Sequence, residues 1–180
     1  MEIIPIFGKK LLAIRYPEEE KDEFIRLFEL WNDIEYLEEF FDANINDLQS
    51  GFWEVTNVED AIFETYNCAN EFEQKLLNHA EESKKDLLSG LEDVFKPLHD
   101  NRPEGEFLVK SKAKSSWLRI YAIRIEANVF VITGGAIKLT QTMGEREHTE
   151  KELRKLERSR DFLKEHGILD SDGLIEEIES

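Results

Sequence analysis

The chain has 180 residues, with 23 Lys and Arg against 40 Asp and Glu, a formal net charge of −17. That length suits one domain, and 41% hydrophobic residues are enough to bury a core. One cysteine, Cys68, excludes an internal disulfide and argues against a cysteine-based metal site. No apolar run approaches the ~20 residues of a membrane helix. The opening MEIIPIFGKK lacks the basic-then-apolar order of a secretory leader, so a cytoplasmic location with no membrane association is expected.

The charge is unevenly spread. Residues 1–106 carry 10 basic against 27 acidic side chains, residues 107–164 carry 13 against 7, and residues 165–180 carry none against 6. A net negative protein is repelled by nucleic acid. Only the stretch 107–164 has the sign to attract it.

Glu2–Phe7 and Lys10–Tyr16 are short, β-branched-rich runs around Gly8, which predicts a hairpin. Pro5 makes the first run an edge strand or splits it, and one bent strand of the main sheet is the alternative to a hairpin. The acidic run Glu18–Glu20 opens a helix in which Phe24, Leu27, Phe28 and Trp31 form one stripe. Asn32 and Asp33 are placed to end it and to cap a second helix through Ile34, Leu37, Phe40 and Phe41, which Gly51 stops. Thr56 and Glu59 have capping-box spacing before a helix over 57–82, with Ile62, Thr65, Ala69, Phe72 and Leu76 on its apolar face. Cys68 lies beside that stripe and reads as core.

Residues 87–98 predict a short helix or turn, and 99–106 an exposed loop. A strand begins at Phe107, and Lys110, Lys112 and Lys114 alternate there with Ser111, Ala113 and Ser115. Leu118–Ile125 and Val129–Thr133 are the strongest strand signals and predict an antiparallel hairpin. The second of these strands is apolar throughout and belongs at the centre of a sheet. Gly134-Gly135 marks its exit and allows a bulge or a close backbone approach. A long charged helix spans 145–166, and a short one 170–178.

At residues 95–164 the order of FKPL, a lysine-bearing strand, LRIYAIRI, VFVITGG, KLTQTM and a charged helix resembles the RelE/HigB-like superfamily of type II toxin–antitoxin ribonucleases. The resemblance covers about 70 of the 180 residues, and no invariant catalytic signature accompanies it. It implies an α+β fold: an antiparallel sheet of four to five strands, N-terminal helices packed against it and a long C-terminal helix. Residues 1–94 then supply N-terminal strands and acidic helices to a single domain, 95–166 the family-like core, and 167–180 a final short helix. It also implies a cognate helix-turn-helix antitoxin as partner, mRNA or the ribosome as target, and cleavage of mRNA without metal or cofactor.

In that chemistry the RNA's own 2′-hydroxyl attacks the neighbouring phosphate. The protein supplies cations for the phosphorane and groups for proton transfer. Carried over residue by residue, Arg119 matches the family's strand arginine, and Lys138 lies near its basic residue after the last strand. Lys110, Lys112 and Lys114 lie near its lysines on the preceding strand. Tyr121 and His148 are the available proton-transfer groups, although neither matches a family position cleanly, and the family's C-terminal Tyr or His has no clear counterpart. The candidate catalytic set is Arg119, Tyr121 and Lys138. The candidate substrate-binding set is Lys110, Lys112, Lys114, Gln141, Arg146 and His148.

Strand alternation places Arg119 and Tyr121 on one face and Arg124 on the other. The alternative assignment for each group is structural: an ion pair for Arg119, a solvated strand end for the lysines, a core edge for Tyr121, an exposed helix position for His148. The competing function is a catalytically inactive protein-binding or regulatory module on the same fold.

Overall fold

A computed structural model describes residues 1–85, 89–98, 108–112, 116–141, 146–168 and 170–179. The architecture is α+β, with a six-stranded mixed sheet between two layers of helices.

The N-terminal hairpin forms as expected, from β1 (Glu2–Phe7) and β2 (Leu11–Arg15). β1 is the outer strand, the edge position that tolerates Pro5. After Tyr16 the chain leaves the sheet at Pro17. α1 (Glu23–Asn32) starts later than the acidic run suggests, because Asp22 is the cap. Its Oδ1 accepts the Phe24 and Ile25 N–H groups at 3.0 and 3.1 Å. Asp33 caps α2 (Ile34–Ala43) in the same way. That helix ends well before Gly51: Asn44 Nδ2 donates to the Phe40 carbonyl at 2.8 Å, and a single turn, α3 (Ile45–Leu48), follows. The cap of α4 (Val58–Glu82) is Asn57 rather than Thr56, its Oδ1 accepting Asp60 N–H at 2.8 Å. The amide competes well with the hydroxyl for this role.

One turn, α5 (Leu91–Val94), leads to a two-residue strand, β3 (Lys96–Pro97), and then to β4 (Leu108–Lys112). The loop expected at 99–106 lies outside the described residues. β5 (Leu118–Glu126) and β6 (Val129–Ile137) form the expected hairpin, turning at Ala127-Asn128 with Asn128 at φ 59. β6 does not exit at Gly134-Gly135. It continues through both glycines to Ile137, with a register irregularity between Tyr121 and Ala122 on the partner strand. α6 (Glu147–Glu165) and α7 (Ser171–Glu179) complete the chain.

The strand order is β1-β2-β6-β5-β4-β3. β6 is central and buried at every position, as its apolar run predicts. The sheet departs from the expected antiparallel arrangement because β2 runs parallel to β6, pairing Leu11–Ala13 with Phe130–Ile132. It has helices on both faces. Phe24, Leu27, Trp31, Phe41 and Phe72 of α1, α2 and α4 pack on one face with Ile120, Phe130 and Ile132. On the other face Leu156, Leu163 and Leu174 of α6 and α7 pack with Tyr121, Ile123 and Val131.

This layering sorts the charge. Residues 18–82, which contain α1 to α4, hold 20 Asp and Glu against 3 Lys and Arg. The rest of the chain holds 20 of each, so the whole negative excess belongs to one helical layer. No helix among the described residues is long and apolar enough to cross a membrane.

Candidate nucleic-acid interface

Residues directly opposite each other in neighbouring antiparallel strands share a face. Lys96 is opposite Lys110, Lys110 is opposite Tyr121, and Lys112 is opposite Arg119. These five side chains therefore lie on the α6 face of the sheet, away from the acidic layer. Lys96, Lys110 and Lys112 are exposed, and Arg119 is half-buried. Two like-charged pairs stand side by side across strands, an arrangement that destabilises a sheet unless something else is gained.

None of the four cations pairs with a carboxylate among the described residues. Lys96 Nζ donates to the Glu92 carbonyl at 3.0 Å and Lys110 Nζ to the Leu98 carbonyl at 3.3 Å. Arg119 Nη1 donates to the Ser116 and Leu118 carbonyls at 2.6 and 2.8 Å. The ion pair with the N-terminal helices that would have made Arg119 structural does not form. Burial lowers the pKa of its guanidinium from the ordinary value, and the nearby Tyr121 works in the opposite direction. Arg124, on the opposite face as alternation requires, is held by Glu92 Oε1 at 2.7 Å.

Tyr121 is 1% exposed, and its hydroxyl has no hydrogen-bond partner among the described residues. Burial raises its pKa well above that of an ordinary phenol, Arg119 offsets part of that rise, and Glu152 adds to it. The hydroxyl is therefore a neutral phenol held between a cation and a carboxyl group beneath α6.

Glu152 of α6 sits against the two glycines of β6, its Oε2 accepting Gly135 N–H at 3.0 Å. β2 has diverged at this point, leaving the edge of β6 without a neighbouring strand. Side chains take its place, since Tyr16 Oη also donates to the Thr133 carbonyl at 2.7 Å. A Cβ on Gly134 would come within 2.0 Å of Glu152 Oε2, so glycine is required for this close approach. Burial raises the Glu152 pKa, and Lys155 only partly opposes this. Lys155 Nζ lies 3.5 Å from Glu152 Oε1 and 3.0 Å from Glu23 Oε2, and Glu23 is also held by Arg26 through two bonds of 2.7–2.8 Å. The network joins α1 to α6 across the edge of β6.

The remaining predicted site residues do not join this group. Lys138 extends the β5–β6 ladder by donating its N–H to the Trp117 carbonyl at 2.8 Å, and its Nζ bonds the Gln141 carbonyl. Arg146 reaches the acidic layer, with Nε 2.7 Å from Asp47 Oδ2. This bond lowers the Asp47 pKa. Gln141 and Arg146 line one side of a surface depression whose other side is Asp47, Ser50, Gly51 and Phe52. His148 Nε2 is 3.0 Å from the Ile137 carbonyl, and the ring packs edge-on against Phe40 at 5.2 Å. Lys114 lies outside the described residues.

Two residues of the group are not evident from the sequence. Lys96 sits in a strand too short to show periodicity; its only signal is the FKPL segment around it. Glu152 reads as one more outer-face acid, although Glu152, Lys155 and Ser159 follow a helical line beside the Leu153–Leu156–Leu163 stripe. Cys68 is core, with burial and the Glu64 carboxylate raising its pKa to about 11. No group of three or more His, Cys, Asp or Glu placed to hold a metal occurs among the described residues. No family model, curated protein or solved structure matches the chain.

Proposed function

We propose that this chain is a RelE/HigB-type, metal-independent mRNA endoribonuclease, the toxin of a type II toxin–antitoxin pair, with its RNA-binding face on β3, β4 and β5. The observation that carries the reading is the set of four in-register cations, Lys96, Lys110, Lys112 and Arg119, with no carboxylate partner among the described residues. Affinity for RNA comes mainly from Lys and Arg neutralising phosphates. The acidity of the whole chain opposes such binding weakly, because its excess lies in the layer behind the sheet.

In the reaction, a ribose 2′-oxygen gives its proton to a solvent water and attacks the adjacent phosphorus, and the bond to the 5′-oxygen breaks as that oxygen takes up a proton. The products are a 2′,3′-cyclic phosphate and a 5′-hydroxyl. Arg119 offers a fork matched to the equatorial oxygens of the phosphorane. Lys96, Lys110 and Lys112 hold neighbouring phosphates. Tyr121 is a neutral phenol beside Arg119 and the candidate donor to the leaving oxygen, and Glu152 is the carboxyl group whose charge acts on it.

The second reading, a catalytically inactive binding or regulatory module, is favoured by one feature: the Tyr121 hydroxyl is enclosed beneath α6. A labelled single-stranded RNA incubated with the wild-type chain, Arg119→Ala and Lys110→Ala/Lys112→Ala separates the two. The nuclease reading expects metal-independent cleavage, a loss of about 10²–10³ in rate for Arg119→Ala, and weakened binding for the lysine pair. RNA binding without cleavage selects the module. Absence of both at low salt overturns the RNA-directed reading.

A further inference from the structure

The layer behind the sheet carries its own unexplained surface. On α4 the core-facing side is Ala61, Thr65, Cys68, Ala69, Phe72 and Leu76. The opposite side should be polar, yet Phe63 is 68% exposed and Tyr66 46%. With Glu59 and Asn70 they form a straight stripe at i, i+4, i+7 and i+11. Asn70 Nδ2 donates to Asn32 Oδ1 at 3.0 Å, so the stripe ends at the α1–α2 junction. There Ile34, the first residue of α2, is 62% exposed. Three large apolar side chains thus stand in solvent along adjoining helices, a grouping that singly scattered surface residues do not produce.

The surroundings decide what covers them. These helices belong to the segment with 20 acidic and 3 basic residues, and Glu35, Glu38, Glu59, Asp60 and Glu71 are all exposed. A second copy of the chain would set this field against itself. Like-charge juxtaposition suppresses such pairing, whereas a basic partner gains in both approach rate and fit. We propose that Ile34, Phe63 and Tyr66 form a docking surface for a basic, amphipathic segment of another protein, with apolar side chains at helical spacing seated on the stripe and Lys or Arg facing the acidic rim. This surface lies in the opposite layer from the cation group and stands whether or not the chain cleaves RNA.

The test uses the full chain and three fluorescent 18-residue peptides: Lys/Leu in helical amphipathic order, Lys/Ser in the same order, and Glu/Leu. The Lys/Leu peptide is expected to bind at least tenfold more tightly than Lys/Ser, and Glu/Leu not to bind. Phe63→Ser/Tyr66→Ser, whose side chains are exposed and whose unchanged melting temperature verifies folding, should weaken Lys/Leu binding at least tenfold. Lys110→Ala/Lys112→Ala should leave it unchanged. Equal affinity of the double serine variant and the wild type overturns the proposal, as does equal binding of Lys/Leu and Lys/Ser. A concentration-dependent dimer that disappears in the serine variant overturns it in favour of self-association.

Discussion

At the scale of single residues, Tyr121 is the most informative position. Its hydroxyl is buried without a partner among the described residues, and leaving such a group unsatisfied costs about 1–3 kcal/mol. Tyr121→Phe removes the oxygen and keeps the ring among Ile123, Val131 and Leu156. The variant is expected to unfold at the same denaturant concentration as wild type or a higher one, with a gain of up to ~1 kcal/mol. If the phenol protonates a leaving oxygen, the same variant loses cleavage rate while gaining stability. That opposite movement of two readouts is what a purely structural tyrosine would not produce. Arg119 is the complementary case: its Nη1 donates to two main-chain carbonyls, so the guanidinium is positioned without being neutralised.

At the scale of elements, the contact between α1 and α6 rests on charge as well as on leucines. Glu23 is fully buried and serves both Arg26 and Lys155. Glu23→Gln leaves two largely buried cations short of a partner, and a loss of about 3–5 kcal/mol is expected in equilibrium unfolding. Glu152 behaves differently. Its pKa is raised in the folded state, so the fold binds its proton more tightly than the unfolded chain does. Its contribution to stability is fully present below the ordinary carboxyl value of 4.5 and falls away as pH rises through the raised value. Glu152→Gln, which keeps an oxygen for Gly135 N–H, should flatten that part of the stability profile above pH 4.5 in a series of melts. The same elements define what the chain reveals before folding. α4, α6 and the β5–β6 hairpin were legible because their periodicity is local. The parallel pairing of β2 with β6 was not, since Leu11 and Phe130 meet only through tertiary packing. The glycine pair was legible as a place for a bulge or a close approach, but the continuation of β6 through it was not, because Glu152 and Leu27, which the glycines admit, come from other elements. Of the candidate site, Arg119 and Tyr121 were legible from strand alternation, whereas the place of Lys96 depended on a two-residue pairing.

At the scale of the molecule, the sheet separates two electrostatic halves. A chain of net charge −17 should bind RNA poorly, and at distances beyond the roughly 8 Å Debye length of physiological salt its field is largely screened. What remains at contact range is the local set of Lys96, Lys110, Lys112 and Arg119. Each phosphate neutralised releases counterions, and for single strands the slope of log K against log salt is about −0.7 per phosphate. Four contacts therefore predict a slope of roughly −3, shallow for a nucleic-acid-binding protein. Lys110→Ala/Lys112→Ala should bring it to roughly −1.4. Reversing acids on the far layer, for example Glu38→Lys/Glu71→Lys, should raise affinity slightly at low salt and steepen the slope by much less than the roughly 1.4 that the lysine pair accounts for. Fluorescence anisotropy of a labelled RNA across a salt series measures both quantities. A slope that follows the far-layer charges instead of the lysines would place the RNA on a different surface.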